Sequence, residues 1–200
     1  EVAERWAVRI TWLEYVAGPE KHEYQQVDFH SAARAGEPFS ALVEKKGFLP
    51  SPNNRMCSSN LKMRTMDRYL KTLPGFCEGY TNAIGLRFDE PRRATRLKAD
   101  NGREDPIAPM YLAGHTETDV LRFWAGQPFD LELPLVGNMA GNCVGCFLKS
   151  RGKLELLIEE MPEHFEWWAD AEKTSRADLP RFRNDRPSYA SMMHTVKTQG

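Results

Sequence analysis

The chain has no excess of charge of either sign: 27 Lys and Arg stand against 28 Asp and Glu, a formal net charge of -1. With no global basic field, an anionic partner has to be held by a local cluster. Long apolar runs are missing as well. The longest, such as Leu156-Leu157-Ile158, fall far short of the roughly 20 residues of a membrane-spanning helix, and no signal peptide with an apolar core opens the chain. The expectation is a soluble, cytoplasmic protein with no membrane partner. Cysteine is scarce at 4 in 200 residues, too few for a disulfide framework. The remaining composition, 41% hydrophobic and 28% charged, excludes collagen-like, coiled-coil and disordered chains.

Glu1 to Ala7 has the apolar spacing of the last turns of a helix already under way, which suggests further chain upstream. Arg9 to Tyr15 alternates polar with apolar residues and predicts a strand ending before Gly18-Pro19. Val27 to His30 reads as a short edge strand, and Pro38 to Lys46 as a helix closed by Gly47. Ser58 to Lys71 is the clearest helix of the first half, with Leu61, Met66, Tyr69, Leu70 and Leu73 as its buried stripe. Tyr80 to Phe88 has the length and apolar character of a central parallel strand. The segment from Arg92 to Asp105 is polar and reads as mobile, and Thr116-Glu-Thr-Asp119 caps a helix through Phe123 and Trp124. Further helices are expected at about 153–160 and from Pro162 through Trp168, with a basic tail lying over the surface. This alternation predicts an α/β domain over 1–135 and a cysteine loop with a helical C-terminal region over 136–200.

Cys143-Val-Gly-Cys146 places two thiols on one tight turn, within reach of one metal or of each other. Cys57 lies in a similar polar loop before a helix, where the positive helix end and Arg55 should favour its thiolate. Three thiols on two loops suit an iron–sulfur cluster or zinc, with Cys77 the candidate fourth ligand; the plain alternative is small buried hydrophobes. Gly85 to Arg93 carries Arg87, Asp89, Glu90, Arg92 and Arg93 at the end of the predicted central strand, where open α/β sheets bind ligands. Arginine forks there suit phosphate or sulfate, with Asp89 orienting them, while a solvated charged loop is the plain reading. Arg55, Lys62 and Lys149 are candidate additions to that anion site. His115 serves better as a capping or packing residue than as a ligand, and the Trp167-Trp168 and Phe123-Trp124 pairs read as core. Arg181 to Arg186 suits a nucleic acid or nucleotide, or a basic tail packed on acidic helices.

Several segments, taken in order, resemble the phosphoadenosine phosphosulfate (PAPS) reductase-like family of the adenine nucleotide alpha hydrolase, or PP-loop, superfamily common in phages and bacteria. They are Arg55-Met-Cys57 with Leu61-Lys62, Gly85 to Arg93, Pro109-Met-Tyr-Leu112 leading into Asp119 to Trp124, Gly141 to Lys149, and Arg186-Pro-Ser-Tyr189. The resemblance covers nearly the whole chain. It implies a Rossmann-like, mostly parallel sheet with flanking helices, binding of ATP or a PAPS-like adenine nucleotide, and transfer of sulfur or an adenylyl group. In that reading Arg87 and Asp89 are the catalytic candidates, Arg55, Lys62, Arg87, Arg92, Arg93 and Lys149 bind phosphate or sulfate, and Cys57, Cys143 and Cys146 hold a 4Fe-4S cluster. Two family features are missing from the 200 residues: the phosphate-gripping Ser-Gly-Gly-x-Asp-Ser loop, expected to lie upstream, and the C-terminal Cys of assimilatory reductases. The cysteine set therefore looks more like that of related sulfurtransferases whose acceptor is tRNA or DNA. The alternative expectation is a zinc-stabilised nucleotide- or nucleic-acid-binding module without turnover. An exposed edge where the first strands should pair predicts self-association into a homo-oligomer.

Overall fold

The computed structural model describes residues 1–18, 23–98, 102–130, 143–175 and 180–199. The chain divides into two compact units, one formed by Glu1–Tyr69 with Leu133–Gly200 and the other by Leu70–Glu132.

The first unit opens with a short helix α1 (Val2–Arg5) and strands β1 (Trp12–Val16) and β2 (Glu23–Val27), which pair antiparallel with Trp12 opposite Val27 and Val16 opposite Glu23. The breaker after β1 thus separates the strands of a hairpin, and the second strand lies earlier than the Val27–His30 expected. Helix α2 (Glu37–Lys46) carries Pro38 in its first turn and ends at Gly47, whose φ of 75° is left-handed, so the chain reverses there without a Cβ penalty. Ser58–Arg64 winds as a π-helix and continues into α3 (Thr65–Leu70). The wider turn shifts the phase of the face: Asn60, Thr65 and Tyr69 are buried, whereas Met66 of the expected stripe is exposed. Thr65 Oγ1 donates to the Asn60 carbonyl five residues back at 2.8 Å, and Asn60 Nδ2 donates to the Met56 carbonyl at 2.9 Å, so both buried polar side chains are satisfied.

The second unit holds β3 (Tyr80–Ala83), α4 (Pro91–Ala94), β4 (Glu104–Ile107), α5 (Pro109–Leu112) and α6 (Glu117–Ala125). β3 and β4 run parallel, Tyr80 opposite Glu104 and Ala83 opposite Ile107. Thr116 and Asp119 form the expected capping box of α6, with the Thr116 amide and hydroxyl donating to the Asp119 carboxylate at 2.9 and 2.7 Å. None of the α6 residues is buried and Phe123 is exposed, so the Phe123-Trp124 pair forms no core.

The Rossmann-like expectation is overturned here. Among the described residues the sheets are two pairs of strands, one antiparallel and one parallel, and no extended parallel sheet links them. The apolar run 80–88 contributes strand for four residues only, and its alternating half-buried pattern is that of a strand covered on one side. Ile84 to Phe88 leaves the ladder after one further backbone bond, from Ile84 N–H to the Ile107 carbonyl.

The main core belongs to the C-terminal helices of the first unit: α7 (Arg151–Glu160), a 3-10 turn Pro162–Phe165, α8 (Glu166–Thr174) and α9 (Tyr189–Gln199). Leu154, Leu157, Ile158, Phe165, Trp168, Tyr189 and Met192 pack with Phe147 and Phe182. Phe147 stacks on Phe182 at 5.8 Å, and Trp168 meets Phe182 at 4.9 Å. Each such ring contributes about 1.5–3 kcal/mol by burial. The tail is thus part of the core, because Phe182, Tyr189 and Met192 recur where the basic residues do not.

Buried Glu172 ties this tail down: its carboxylate accepts the Phe182 amide at 3.2 Å and the Tyr189 amide at 2.8 Å. Burial pushes its carboxyl pKa up, opposed by those two bonds. Glu172→Gln leaves one amide without an oxygen acceptor and should cost about 1–3 kcal/mol in chemical unfolding. A pKa raised on folding from its ordinary 4.5 favours the folded state fully below that value and loses its contribution as pH rises through the folded pKa. The stability gap between wild type and variant should therefore be largest below about pH 4.5 and narrow above it. A gap that widens with pH would contradict this assignment.

Candidate thiol site

Cys143 to Lys149 is a compact double turn in which the Cys146 amide donates to the Cys143 carbonyl at 3.1 Å and the Lys149 amide to the Cys146 carbonyl at 2.9 Å. Position 145, next to Cys146, must be glycine for a packing reason. A Cβ at Gly145 would lie 2.3 Å from Trp168 Nε1, and the buried Trp168 ring, wedged against Phe39, Trp167, Phe182 and Tyr189, has nowhere to move. The Tyr189 hydroxyl donates to the Gly145 carbonyl at 2.5 Å and accepts from Arg186 Nη2 at 3.0 Å, while Arg186 Nη1 donates to the Lys149 carbonyl at 2.9 Å. Burial pushes the Tyr189 phenol far above its usual pKa, so it stays a donor at any working pH. Trp168, Tyr189 and Arg186 form the floor of the turn, a role that spacing alone does not reveal.

Cys57 is brought to the same place. Half-buried Cys57 packs against the core cluster that Val144 also touches, and Cys143 and Cys146 lie within electrostatic range of its thiol. Burial is the main reason its pKa is pushed up, with those two thiols adding to the rise. This reverses the expectation of a thiolate stabilised by Arg55 and a helix end: Arg55 is exposed, and Cys57 itself has helical backbone at the entry to the π-helix. Lys149 Nζ donates to the Cys143 carbonyl at 2.5 Å. Burial lowers the Lys149 pKa, and the nearby Cys146 and Cys143 counter that effect.

Among the described residues no three His, Cys, Asp or Glu side chains converge tightly enough to hold a single metal ion, where tetrahedral zinc draws its sulfurs to within about 2.3 Å of the ion. Exposed Cys77 belongs to the other unit, where its thiol donates to the Lys71 carbonyl at 3.3 Å. Residues 137–142 of the glycine-rich loop lie outside the described residues.

The predicted anion residues fall into two groups. Arg55, Lys62 and Lys149 belong to the first unit, and both Arg55 and Lys62 point into solvent. In the second unit Arg87 is engaged by its neighbours: Nε lies 3.0 Å from Asp89 and 3.9 Å from Glu90, and Nη1 lies 3.7 Å from Glu117. Its hydrogen bond holds the Asp89 carboxyl below the usual range. Arg93 pairs with Glu90, and Arg92 is exposed. Three carboxylates thus lie around Arg87 and pair it within its own segment and with α6. His115 also serves the backbone: its carbonyl accepts the Phe88 amide at 2.8 Å.

Two outcomes follow from this geometry. Gly145→Ala should cost at least about 1–3 kcal/mol through overpacking on Trp168, read as a lowered denaturation midpoint with loss of near-ultraviolet tryptophan signal. In metal-free protein, exposed Cys77 and Cys143 should be alkylated by iodoacetamide before Cys57, followed by peptide mass mapping.

No helix among the described residues is long and apolar enough to cross a membrane. No family model and no solved structure matches the chain. A curated protein of Escherichia phage lambda, described as the uncharacterized nin region protein ORF290, is 31% identical over 170 residues, covering 80% of this chain and 53% of that protein. The chain is thus similar to a phage protein and spans about half the length of the relative it matches.

Proposed function

We propose that this chain provides the thiolate centre of a PAPS reductase-like sulfur-transferring protein, with Cys57, Cys143 and Cys146 as ligands of a 4Fe-4S cluster. The observation that carries this reading is that Cys57, 86 positions before Cys143 by numbering, packs against the same core as Val144 and lies within electrostatic range of Cys143 and Cys146. Three thiolates on a four-iron cluster leave one iron open for a sulfur ligand, the chemistry such a group supplies when bound. The chain's own residues set the surroundings: Lys149 offsets thiolate charge and holds the Cys143 carbonyl, Tyr189 and Arg186 fix the turn, and Trp168 keeps water from beneath it. Adenine nucleotide activation, by ATP or a PAPS-like nucleotide, and transfer of sulfur to tRNA or DNA are proposed for the whole protein.

Metal and acid-labile sulfide analysis with a visible spectrum, on anaerobically purified wild type and Cys143→Ser/Cys146→Ser protein, tests the assignment. Iron and sulfide in the wild type, lost in the variant, are expected. Zinc without sulfide, or no metal in either protein, would overturn it.

A further inference from the structure

Beside the thiol turn, Lys149, Ser150, Arg151, Arg183, Asp185 and Arg186 line a depression of ≈ 250 Å³. A second depression of ≈ 370 Å³ shares Arg183 and Asp185 with it and is lined further by Asn53, Arg181 and Asn184. Four cations line the first depression, of which Arg183 pairs with Asp185 and Arg151 with Glu155, leaving a positive surplus in a chain whose overall charge is -1. This is the local cluster that an anion needs where no global field exists.

The guanidinium groups are held in place before any ligand arrives. Arg183 is braced by Asp185 and Arg186 by the Lys149 carbonyl and the Tyr189 hydroxyl. Each of these two arginines uses two N–H groups in those contacts and has three of its five left to donate. Arg151, exposed and bound to Glu155 at 2.6 Å, sits at the rim.

We infer that these two depressions, which share Arg183 and Asp185, bind a single-stranded nucleic acid, with successive backbone phosphates on Arg183, Arg186 and Arg151, and Asn53 and Asn184 facing sugars or base edges. Two features separate a strand from a lone phosphate. The cationic surface continues past one anion's reach through the shared Arg183, and the second depression offers side-chain amides that donate and accept, as base edges require. Lys149 belongs to both the groove and the thiol turn, so a strand bound here lies beside Cys143 and Cys146. The inference rests on the proposed sulfur chemistry for its purpose but not for its binding.

The test is fluorescence anisotropy of labelled, mixed-sequence single-stranded DNA and RNA oligonucleotides with the full chain at about 50 to about 200 mM salt. Binding should weaken with salt. Arg151→Gln/Arg183→Gln should lower affinity about tenfold and reduce the log–log salt slope by about 1.4, two phosphate contacts at about 0.7 each. Lys46→Gln/Lys197→Gln, with the same charge change elsewhere in the unit, should bind as wild type does. Circular dichroism of both variants checks that they fold. No binding by wild type at about 50 mM salt, or equal losses in both double variants, would overturn the inference. So would displacement by inorganic phosphate or AMP at concentrations where an unlabelled oligonucleotide does no better. Measuring iron in the same preparations keeps the two readings apart: strand binding without iron removes only the cluster, and iron without strand binding removes only the groove.

Discussion

Trp168 occupies the space that any side chain at position 145 would need, and much of the first unit follows from that contact. The indole presses the Cys143–Cys146 turn onto the aromatic core, where Phe182 and Tyr189 close around it. Because packed rings interdigitate with few voids, the turn's position is set by the core. The turn is therefore placed by hydrophobic burial.

Polar groups finish what packing begins. Glu172 uses both carboxylate oxygens on backbone amides of the tail, and Tyr189 returns a hydroxyl to the Gly145 carbonyl. Arg186 bridges that hydroxyl and the Lys149 carbonyl, linking tail, thiol turn and the start of α7. A charge buried at the cost of a raised pKa is tolerated there because it satisfies two N–H groups that would otherwise be stranded. The same bridge holds arginines at the groove beside the thiols, so one network serves the turn's shape and the local positive charge.

In the second unit, carboxylates take up the arginines. Arg87 lies among Asp89, Glu90 and Glu117, which steadies the segment between β3 and α6. Three basic residues in nine positions look like an anion site when read in line. In space, Arg87 and Arg93 pair with neighbouring acids, while Arg92 is exposed.

Local chemistry written in the chain determined many of the elements: Gly47 and Pro38 bound α2, Thr116 and Asp119 cap α6, and the Leu-rich run forms α7. Turn spacing also identified Cys143 and Cys146 as a pair, and Trp167-Trp168 as core. Tertiary structure alone decided the sheet, since whether Tyr80 to Phe88 lies at a sheet's centre depends on strands that do or do not pair with it. It also decided the phase of Ser58–Arg64, because π-winding changes which residues share a face. The nearness of Cys57 to the other thiols, its raised pKa and the burial of Phe182 and Tyr189 in the tail depend on contacts between residues far apart in sequence. Periodicity and caps act over one or two turns of chain, whereas desolvation and charge act between whatever the fold brings together.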